Sequence, residues 1–465
     1  MCVSHGAYYL EYAFFCWAAV ADDLLSVVKW GLNCLQEVFV TRSEGDVHVH
    51  VLPSDKYKMS SVWIQMERPV SRTEVTASVL LPHVLLRGTE RYQNPEDLMQ
   101  AFDGLYGASI SARAGKRGDF QTIELTLQVP ADRYVGRGVR LFASAMNLLG
   151  DVLAHPHLPD GAFPRAAVES EIELHRQRLD NLVNDKISYA MERCVEVLCE
   201  GEAYGVSRLG YAADLPDITP QSLVDTYRLW LAGSPLHVYI VSPDDPERVT
   251  QEAFAALRPL VGACKTGAAA TAVMTVSPAQ QGPSAPRVVV ERMDVSQAKL
   301  NMGLRTGVGF GSDDYPALLV YNGLLGAFEH SRLFVHVRER ASLAYYASSR
   351  LDTLKGLIFI AAGIQESDYD KTRAIIEEQL AALRRGEVSE DDLRYTKEGL
   401  THHYLQSDDQ PFTSAMMHMF ARFCGRERSV ESLMDAVMRV TVADVVRVAS
   451  NVSLDAVYLL QNGGA

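Results

Sequence analysis

The stretch from Met59 to Tyr92, MSSVWIQMERPVSRTEVTASVLLPHVLLRGTERY, decides the fold because it joins a strand pattern directly to a helix pattern. Met59–Met66 alternates in the way of a strand with one buried face. Glu74–Leu86 is almost continuously apolar, which predicts a buried helix. Ser71 and Glu74 stand at the spacing of a capping box and predict where this helix begins. The stretch therefore predicts a sheet strand that leads straight into a core helix.

The same unit occurs a second time along the chain. Three correspondences share an offset of 238 residues: Leu105 of Leu105-Tyr106 with Leu343 of Leu343-Ala344-Tyr345, Gly118 with Gly356, and Met59–Met66 with Gln297–Leu304. A repeat at one fixed offset indicates two copies of one structural unit. The chain is therefore expected to contain two homologous halves.

Each half has the same predicted order of elements. Two short strands come first, and an apolar helix, a short helix, a hairpin and longer amphipathic helices follow. The predicted strands are Val47–Leu52, Ser60–Met66, Ser109–Ala114 and Gln121–Val129 in the first half, and Arg287–Met293, Lys299–Leu304, Tyr345–Leu351 and Leu357–Ile364 in the second. The predicted helices are Glu74–Leu86, Gly138–Leu153 and Pro164–Val183, then Tyr315–Phe328, Ser367–Arg385 and Asp391–Tyr404.

This order predicts an α+β fold, with a mostly antiparallel sheet covered by helices in each half. Residues 265–286, KTGAAATAVMTVSPAQQGPSAP, are rich in small residues and proline and have the composition of a linker. The predicted division is a domain at 41–264, a linker at 265–286 and a domain at 287–465. Two such domains facing each other would enclose a concavity, the usual location of a ligand site.

The composition excludes several classes of protein. The chain has 465 residues, 48% hydrophobic and 22% charged, which is the balance of a globular protein and not of a disordered or fibrous one. Its 44 Lys and Arg against 58 Asp and Glu give a net charge of −14, which argues against a nucleic-acid-binding protein. The seven cysteines show no CxxC spacing, so we expect reduced thiols and a cytoplasmic protein. Neither composition nor charge indicates a membrane partner.

The first forty residues do not follow the pattern of the rest. Ala7–Val20 is aromatic and apolar, but Glu11 interrupts it and Asp22 and Asp23 close it. It is too short and too interrupted for a spanning helix, and no positive stretch precedes it as in a signal peptide. Residues 1–40 are interpreted either as an extra helix or as the product of a start site assigned too early, the second being favoured.

The apolar helix carries residues of chemical interest. His83 follows Pro82, which removes a helix hydrogen bond to the carbonyl of Ser78. On its own, a histidine among apolar residues is more often a satisfied core side chain than a ligand. Read onward from His83, however, HVLLRGT resembles the segment that follows the inverted zinc motif H-x-x-E-H of the M16 metallopeptidases. Val168-Glu-Ser-Glu171 resembles the V-x-S-E context of the later glutamate ligand in that family.

The resemblance implies the LuxS/MPP-like fold of the M16 family and a degenerate metal site. His83 would be the second histidine of the motif and Glu171 the third ligand, but Val79 replaces the first histidine and Pro82 the catalytic glutamate. A catalytic zinc needs three protein ligands and an activated water, whereas valine has no lone pair and proline accepts no proton. We therefore expect no metal on this chain and no peptide hydrolysis by the chain alone.

A rival interpretation has other histidines rebuild a metal site. The candidates are the pairs His48/His50, His155/His157 and His402/His403. Alternate or adjacent positions of this kind rarely converge on one ion, so this interpretation is disfavoured.

The second half retains a different part of the family's machinery. Leu333-Phe-Val-His-Val-Arg338-Glu-Arg-Ala-Ser-Leu-Ala-Tyr345 resembles the signature LF-x-x-VRE-x-x-x-LAY. The resemblance implies that Arg338 donates to the substrate backbone and that Tyr345 stabilises the tetrahedral oxyanion, over the zinc site of the facing half. The alternative is that Arg338 pairs with a nearby glutamate and Tyr345 lies half-buried in a hairpin.

In some bacterial M16 members two chains share these tasks. One carries H-x-x-E-H and the other the arginine–tyrosine pair, and this sequence resembles the second kind, the YmfF type, whose partner is a zinc-bearing YmfH-type chain. Three segments support that sub-group: Asp185–Ala190, Asp103–Ala108 and Ser331–Phe334. The resemblance implies a heterodimer that closes around an unfolded or small peptide, with zinc in the partner, and an association with aminopentanol modification. The competing hypotheses are a peptide-holding scaffold without proteolysis and a self-sufficient peptidase, which Val79 and Pro82 disfavour.

Overall fold

The computed structural model describes residues 38–136, 138–265, 285–407 and 409–463. The interpretation of residues 1–40 falls almost entirely outside these residues, as does most of the segment interpreted as a linker. The first half means residues 38–265 below, and the second half means residues 285–463. The domain boundaries stay predictions.

The first half is built on a six-stranded sheet. Its strands are β1 (Val40–Glu44), β2 (Val47–Pro53), β3 (Met59–Pro69), β4 (Ser109–Arg117), β5 (Phe120–Pro130) and β6 (Leu236–Ser242). Their spatial order is β1-β2-β6-β3-β5-β4, and every neighbouring pair is antiparallel except β2 and β6. The four strands predicted here are confirmed, with ends that extend by one to three residues.

Helices of the first half cover one face of this sheet. The helices of this half are α1 (Val75–Leu85), α2 (Pro95–Asp103), α3 (Leu141–Ala154), α4 (Arg165–Asn184), α5 (Lys186–Leu198), α6 (Pro220–Gly233) and α7 (Pro246–Leu257), of which α5 packs elsewhere. Alternate residues of the strands, such as Val47, Val49 and Val51 of β2, enter one core with α1 and α3. The strand period of two therefore separates a helix-covered face from a second, more polar face.

The predicted start of α1 is right but its cap is not the one expected. The helix begins at Val75 without a side-chain cap on its first turn. Ser71 Oγ lies 3.0 Å from Thr73 Oγ1, and the Glu74 carboxylate is 3.4 Å from the guanidinium of Arg68. The carboxylate is thus drawn to a cation on β3, and the capping box does not form.

The second half repeats the plan with five strands. They are β7 (Arg287–Met293), β8 (Ala298–Arg305), β9 (Ala344–Asp352), β10 (Leu357–Ile364) and β11 (Ser453–Asn462), in the order β7-β11-β8-β10-β9. Only β7 and β11 are parallel neighbours in this sheet. The two hairpins turn at Gly118 and Gly356, whose φ values of 55° and 61° are both in the left-handed region. The shared turn confirms the repeat at this point.

The helices of the second half include two π-helical segments. The regular helices are α8 (Tyr315–Asn322), α9 (Tyr369–Arg384), α10 (Glu390–Ser407), α11 (Pro411–Cys424), α12 (Val430–Arg439) and α13 (Val442–Asn451). The π-helical segments are π1 (Gly323–Ala327) and π2 (Phe334–Arg340). The predicted helix Tyr315–Phe328 is therefore α-helical only to Asn322. A Cβ on Gly326 would lie 2.5 Å from the backbone nitrogen of Ser349, so close packing against β9 explains why glycine stands there.

One helix of each half packs on the sheet of the other half. Helix α5 packs its buried Cys194 and Leu198 on the second sheet, against Phe359 and Tyr458. Helix α11 packs Met419 and Phe423 on the polar face of the first sheet, against Trp63 and Tyr239. The packing of α11 on that face is called the seam below. The exchange of helices makes residues 39–463 one compact body.

Candidate functional site

The degenerate metal site lies where α1 and α4 meet. Val79, Pro82 and His83 stand on one face of α1, at spacings of three and four residues. Val79 is only 4% exposed and Pro82 is buried, whereas His83 is half-buried. A hydrocarbon side chain and a pyrrolidine ring thus occupy the positions that would carry a ligand and a base.

Glu171 of α4 is engaged by arginines. Arg87, just beyond the end of α1, donates from Nε to Glu171 Oε1 at 2.7 Å, and its Nη2 makes a second contact with the same oxygen. Arg178 Nη2 lies 3.8 Å from Glu171 Oε2. The carboxylate is almost fully buried, so these guanidinium groups supply the positive charge that it needs.

Burial makes this region a poor place for a further positive charge. Burial, followed by the charges of Arg178, His175 and Arg87, lowers the pKa of His83 to about 4. Burial also lowers the pKa of His175, which lies one turn after Glu171. The Nε2 atom of His175 lies 2.8 Å from the carbonyl oxygen of Leu209. Both rings are neutral at neutral pH.

These residues do not fit a zinc ion. A tetrahedral site with an open position needs three protein ligands, and the first-histidine position offers only the methyl groups of Val79. Glu171 is already neutralised by Arg87 and Arg178, and a divalent ion there would stand beside two fixed cations. Among the side chains that the structure describes, no three His, Cys, Asp or Glu residues are grouped so as to hold a metal ion.

The three histidine pairs of the rival interpretation lie on different elements. His48 and His50 are on β2, His155 and His157 follow α3, and His402 and His403 are exposed on α10. His50 does meet other histidines, His237 of β6 and His418 of α11, which the sequence did not connect with it.

Arg338 and Tyr345 lie on adjoining elements of the second half. Arg338 belongs to π2 and Tyr345 is the second residue of β9, the edge strand of its sheet. Tyr345 is 78% exposed, and Arg338 is also exposed. Arg338 has its guanidinium carbon 4.6 Å from the ring centroid of Phe334 and makes no ion pair with any residue in the described ranges. The alternative in which a glutamate pairs with Arg338 and Tyr345 is half-buried is therefore wrong for this structure.

A short, strained turn sets the relation between the two side chains. The backbone N–H of Leu343 donates to the carbonyl of Val337 at 3.1 Å and ties β9 back to π2. Ser342 adopts a φ of 51°, which is uncommon for a residue other than glycine. Val337 is fully buried and anchors π2 in the core. Strain of this kind and π-helical turns occur often at functional sites.

The exposed pair offers two hydrogen-bond donors to a molecule outside the chain. A guanidinium and a phenol both suit an oxygen that carries or develops negative charge. The sequence signature located both residues, but it did not reveal Arg178, Leu209 or the partners of His50. Arg178 could have been found from its spacing of seven residues from Glu171 on one helix, which places both on the same face.

The chain is similar in sequence to proteins of one known family. The family model described as the Peptidase M16 inactive domain matches residues 217–400. The curated protein "Probable inactive metalloprotease YmfF" of Bacillus subtilis (strain 168) is 31% identical over 420 residues, which are 90% of this chain and 96% of that protein.

The chain belongs to the M16 peptidase family. It is a homologue of an M16 protein named as an inactive metalloprotease, in keeping with the degenerate motif.

Solved structures with the same fold extend over nearly the whole M16 chain. A conserved protein from Enterococcus faecalis V583 superposes with a TM-score of 0.84 at 24% identity, over 91% of this chain and 98% of that one. The M16 inactive domain from Pseudomonas fluorescens gives a TM-score of 0.72 at 15% identity, over 92% and 98%. The predicted α+β architecture with two M16-type sheets is thus confirmed.

Two further observations bear on the setting of the chain. No helix within the described ranges combines the length and apolarity needed to cross a membrane. Cys194, Cys199, Cys264 and Cys424 are free thiols, and burial raises the pKa of Cys199 and of Cys264 to about 12. These thiols are poor nucleophiles, so they offer no alternative catalytic group.

Proposed function

We propose that this chain is the substrate-binding subunit of a two-chain zinc peptidase. In this assignment a second M16 chain with an intact H-x-x-E-H motif, of the YmfH type, holds the zinc and the catalytic base. Arg338 and Tyr345 of the present chain complete the active centre, and this chain holds no metal. The substrate is an unfolded or small peptide.

The observation that carries the proposal is the exposed, unpaired state of Arg338 beside Tyr345. Leaving a guanidinium without a carboxylate partner has no benefit for folding, whereas most of the other arginines that the structure describes form ion pairs. The backbone of both residues is held by a turn tied to the buried Val337, which limits the reorganisation needed when the two donors meet a substrate. Such preorganised donors each contribute about 2.7–4 kcal/mol to stabilising an oxyanion.

The degenerate centre supports the division of labour. Zinc-dependent peptide hydrolysis needs a metal ligand at the position of Val79 and a general base at the position of Pro82. The family relationship supports an M16 partner, because M16 chains of similar length share this fold. The free thiols support a cytoplasmic location. The association with aminopentanol modification stays a prediction of the sub-group resemblance.

The experiment is a reconstitution with an H-x-x-E-H-bearing M16 chain from the same organism. Peptidase activity on an unfolded peptide is expected only in the mixture, with stoichiometric zinc in the partner. Arg338→Ala and Tyr345→Phe should each lower kcat by about 10²-fold, which corresponds to the loss of one oxyanion donor.

Matched controls are available in the chain. Arg340→Ala removes another exposed arginine of π2, and Tyr106→Phe removes the hydroxyl of an exposed tyrosine in the turn before β4 of the first half. Both should leave the activity within twofold of wild type. If a stable complex forms but Arg338→Ala and Tyr345→Phe leave its activity unchanged, the assigned role is wrong. A complex that holds peptides and cleaves none would instead support the scaffold hypothesis.

A further inference from the structure

A cluster of four histidines lies at the seam, outside the site described above. His48 and His50 come from β2, His237 from β6, and His418 from α11 of the other half. His50 Nε2 is 3.1 Å from His237 Nδ1, and His50 Nδ1 is 3.3 Å from His418 Nε2. The ring of His48 stacks on that of His237 with centroids 4.8 Å apart. The four rings form one continuous group that bridges the first sheet and α11.

Hydrogen bonds around the cluster suit neutral rings. Thr41 Oγ1 of β1 lies 2.8 Å from His50 Nδ1, and Ser43 Oγ lies 2.8 Å from His48 Nδ1. The 3.1 Å gap between His50 and His237 accommodates one proton and not two. The closed arrangement therefore cannot hold both of these rings in the protonated form without moving them apart.

A permanent charge stands beside the cluster. Arg422, one turn after His418 on α11, donates to both carboxylate oxygens of Glu67 at 2.5 Å. Glu67 has no exposed side-chain surface and is fully used by this pair. A proton on any of the histidines would add a positive charge next to Arg422, and among the described residues no second buried carboxylate contacts the rings to compensate it.

The remaining charged and titratable groups around the cluster are few. The ring of Tyr239 of β6 stacks on that of His50 with centroids 4.8 Å apart. The carboxylates of Asp46 and Glu427 interact electrostatically with His48 and His418, respectively. The carboxylate of Glu124 of β5 interacts in the same way with Tyr239. Asp46 and Glu427 raise the pKa of their histidines, but burial outweighs both. Across β3, both amide atoms of Gln65 are buried without a hydrogen-bond partner among the described residues. These unsatisfied amide atoms lower the stability of the closed seam.

We propose that the histidine cluster makes the seam a pH-sensitive lock, with α11 docked on the first sheet at neutral pH and released when the cluster is protonated. The inference concerns the contact between the two halves of this chain and does not depend on the proposed function.

The direction follows from the protonation states. Burial, followed by His418, Arg422 and His48, lowers the pKa of His50 to about 2, and burial with Arg422 lowers the pKa of His237 well below 6.5. Burial likewise lowers the pKa of His48 and of His418. The released state, in which the rings meet water, binds more protons. Docking is therefore complete above pH 6.5 and weakens as the pH falls below it.

The magnitude follows from linkage. A histidine that stays neutral when docked and has an ordinary pKa when released shifts the equilibrium about tenfold toward release between pH 7.5 and 5.5. His50 and His237 are the two most deeply buried rings of the cluster and together give about a hundredfold shift, to which the half-buried His418 adds a smaller factor.

The test is hydrogen–deuterium exchange of the full chain at pH 7.5 and 5.5, corrected for the intrinsic pH dependence of exchange. Exchange at Pro411–Cys424 is expected to rise about a hundredfold at pH 5.5, while Leu141–Ala154 in the first core stays protected. His50→Asn should reduce the rise to about tenfold, each variant being compared with itself at pH 7.5. His418→Gln, at a half-buried position, should also reduce the rise and serves if His50→Asn does not fold.

The double variant His402→Gln/His403→Gln, on exposed α10, should behave like wild type. The proposal is overturned if Pro411–Cys424 exchanges equally at both pH values. It is also overturned if the two cores lose protection together with α11, since that is global unfolding. An unreduced rise in folded His50→Asn and His418→Gln would attribute the effect to groups outside the cluster.

Discussion

The guanidinium of Arg422 donates to both carboxylate oxygens of Glu67, a residue that lies 355 positions earlier in the chain. This pair is buried at the seam and also meets the hydroxyl of Tyr239, with Arg422 Nε at 3.2 Å. One helix of the second half is thereby fixed to the central strands of the first sheet. Forming a buried ion pair contributes little net stability, whereas removing one partner is costly because the other charge stays buried without compensation.

Arg422→Met is expected to destabilise the chain by about 3–5 kcal/mol, because Glu67 would remain buried without a counter-ion. The double variant Glu67→Leu/Arg422→Met should be less destabilised than Arg422→Met alone, since it leaves no charge behind. Denaturant unfolding at pH 7.5 measures both.

The ion pair between Lys355 and Asp119 is the matched control for that measurement. It also joins the two halves, at 2.9 Å, but the Asp119 side chain is 47% exposed. Asp119→Asn should cost about 0–1 kcal/mol because water screens the pair. Equal losses for Arg422→Met and Asp119→Asn would contradict the distinction between buried and exposed pairs at this contact.

Glu171→Ala should lower the free energy of unfolding by about 1–3 kcal/mol, since it leaves the guanidinium groups of Arg87 and Arg178 without their shared carboxylate. The metal content of the purified chain, measured by mass spectrometry, should be the same before and after the change. A residue that served a metal would instead show loss of that metal.

Glu169→Ala is the control on the same helix. Glu169 pairs with Arg165 at 2.7 Å, but both side chains are largely exposed. The loss of stability should be at most about 0.5 kcal/mol. A larger loss for Glu169→Ala than for Glu171→Ala would argue against the structural role assigned to the buried carboxylate.

Gly326→Ala should destabilise the second half by about 1–3 kcal/mol, because the added Cβ would meet the nitrogen of Ser349 at 2.5 Å and the side chain of Leu333 at 2.7 Å. These contacts hold π1 against β9, so thermal unfolding should begin at a lower temperature. Gly136→Ala is the control: its Cβ would have only a side-chain atom of Val139 at 3.9 Å, and stability should stay within about 0.5 kcal/mol.

Phe334→Leu should weaken the function of Arg338 without removing the arginine. The ring lies under the guanidinium at 4.6 Å, and an exposed cation–π contact contributes about 0.5–1 kcal/mol, or roughly two- to fivefold in kcat/KM of a reconstituted complex. In the background of Arg338→Ala the same change should have no effect. Additive losses in the double variant would show that Phe334 acts independently of Arg338.

The sequence was sufficient for the strands and helices whose period is undisturbed. β3, β5 and the hairpin turn at Gly118 follow from alternation and from the conformation that a tight turn requires. β6 and β11 were not predicted, although both lie in the middle of their sheets. Each comes after a series of helices and pairs with strands far away in the sequence, so no hairpin or neighbouring strand pattern indicates it.

The candidate site was predictable only where its residues lie close together in the sequence. Val79, Pro82 and His83 fall within one helix, and Arg338 and Tyr345 within one signature. The π-helical turns were not predictable, because an apolar run such as that of Gly323–Ala327 has the same pattern in an α-helix. His50, His237 and His418 are brought together by pairing of β2 with β6 and by docking of α11, at separations of 187 and 368 residues. No local pattern carries that information.

Because α5 and α11 each pack on the sheet of the other half, the ways in which this gene can change are restricted. Each half covers one face of its sheet with its own helices and depends on the other half for the helix on the opposite face, so a deletion that removes one half would expose aromatic side chains such as Tyr458 or Trp63 in the other. The two copies can therefore diverge in their motifs, as the loss at Val79 and the retention at Arg338 illustrate. Neither copy can be lost without exposing the sheet of the other.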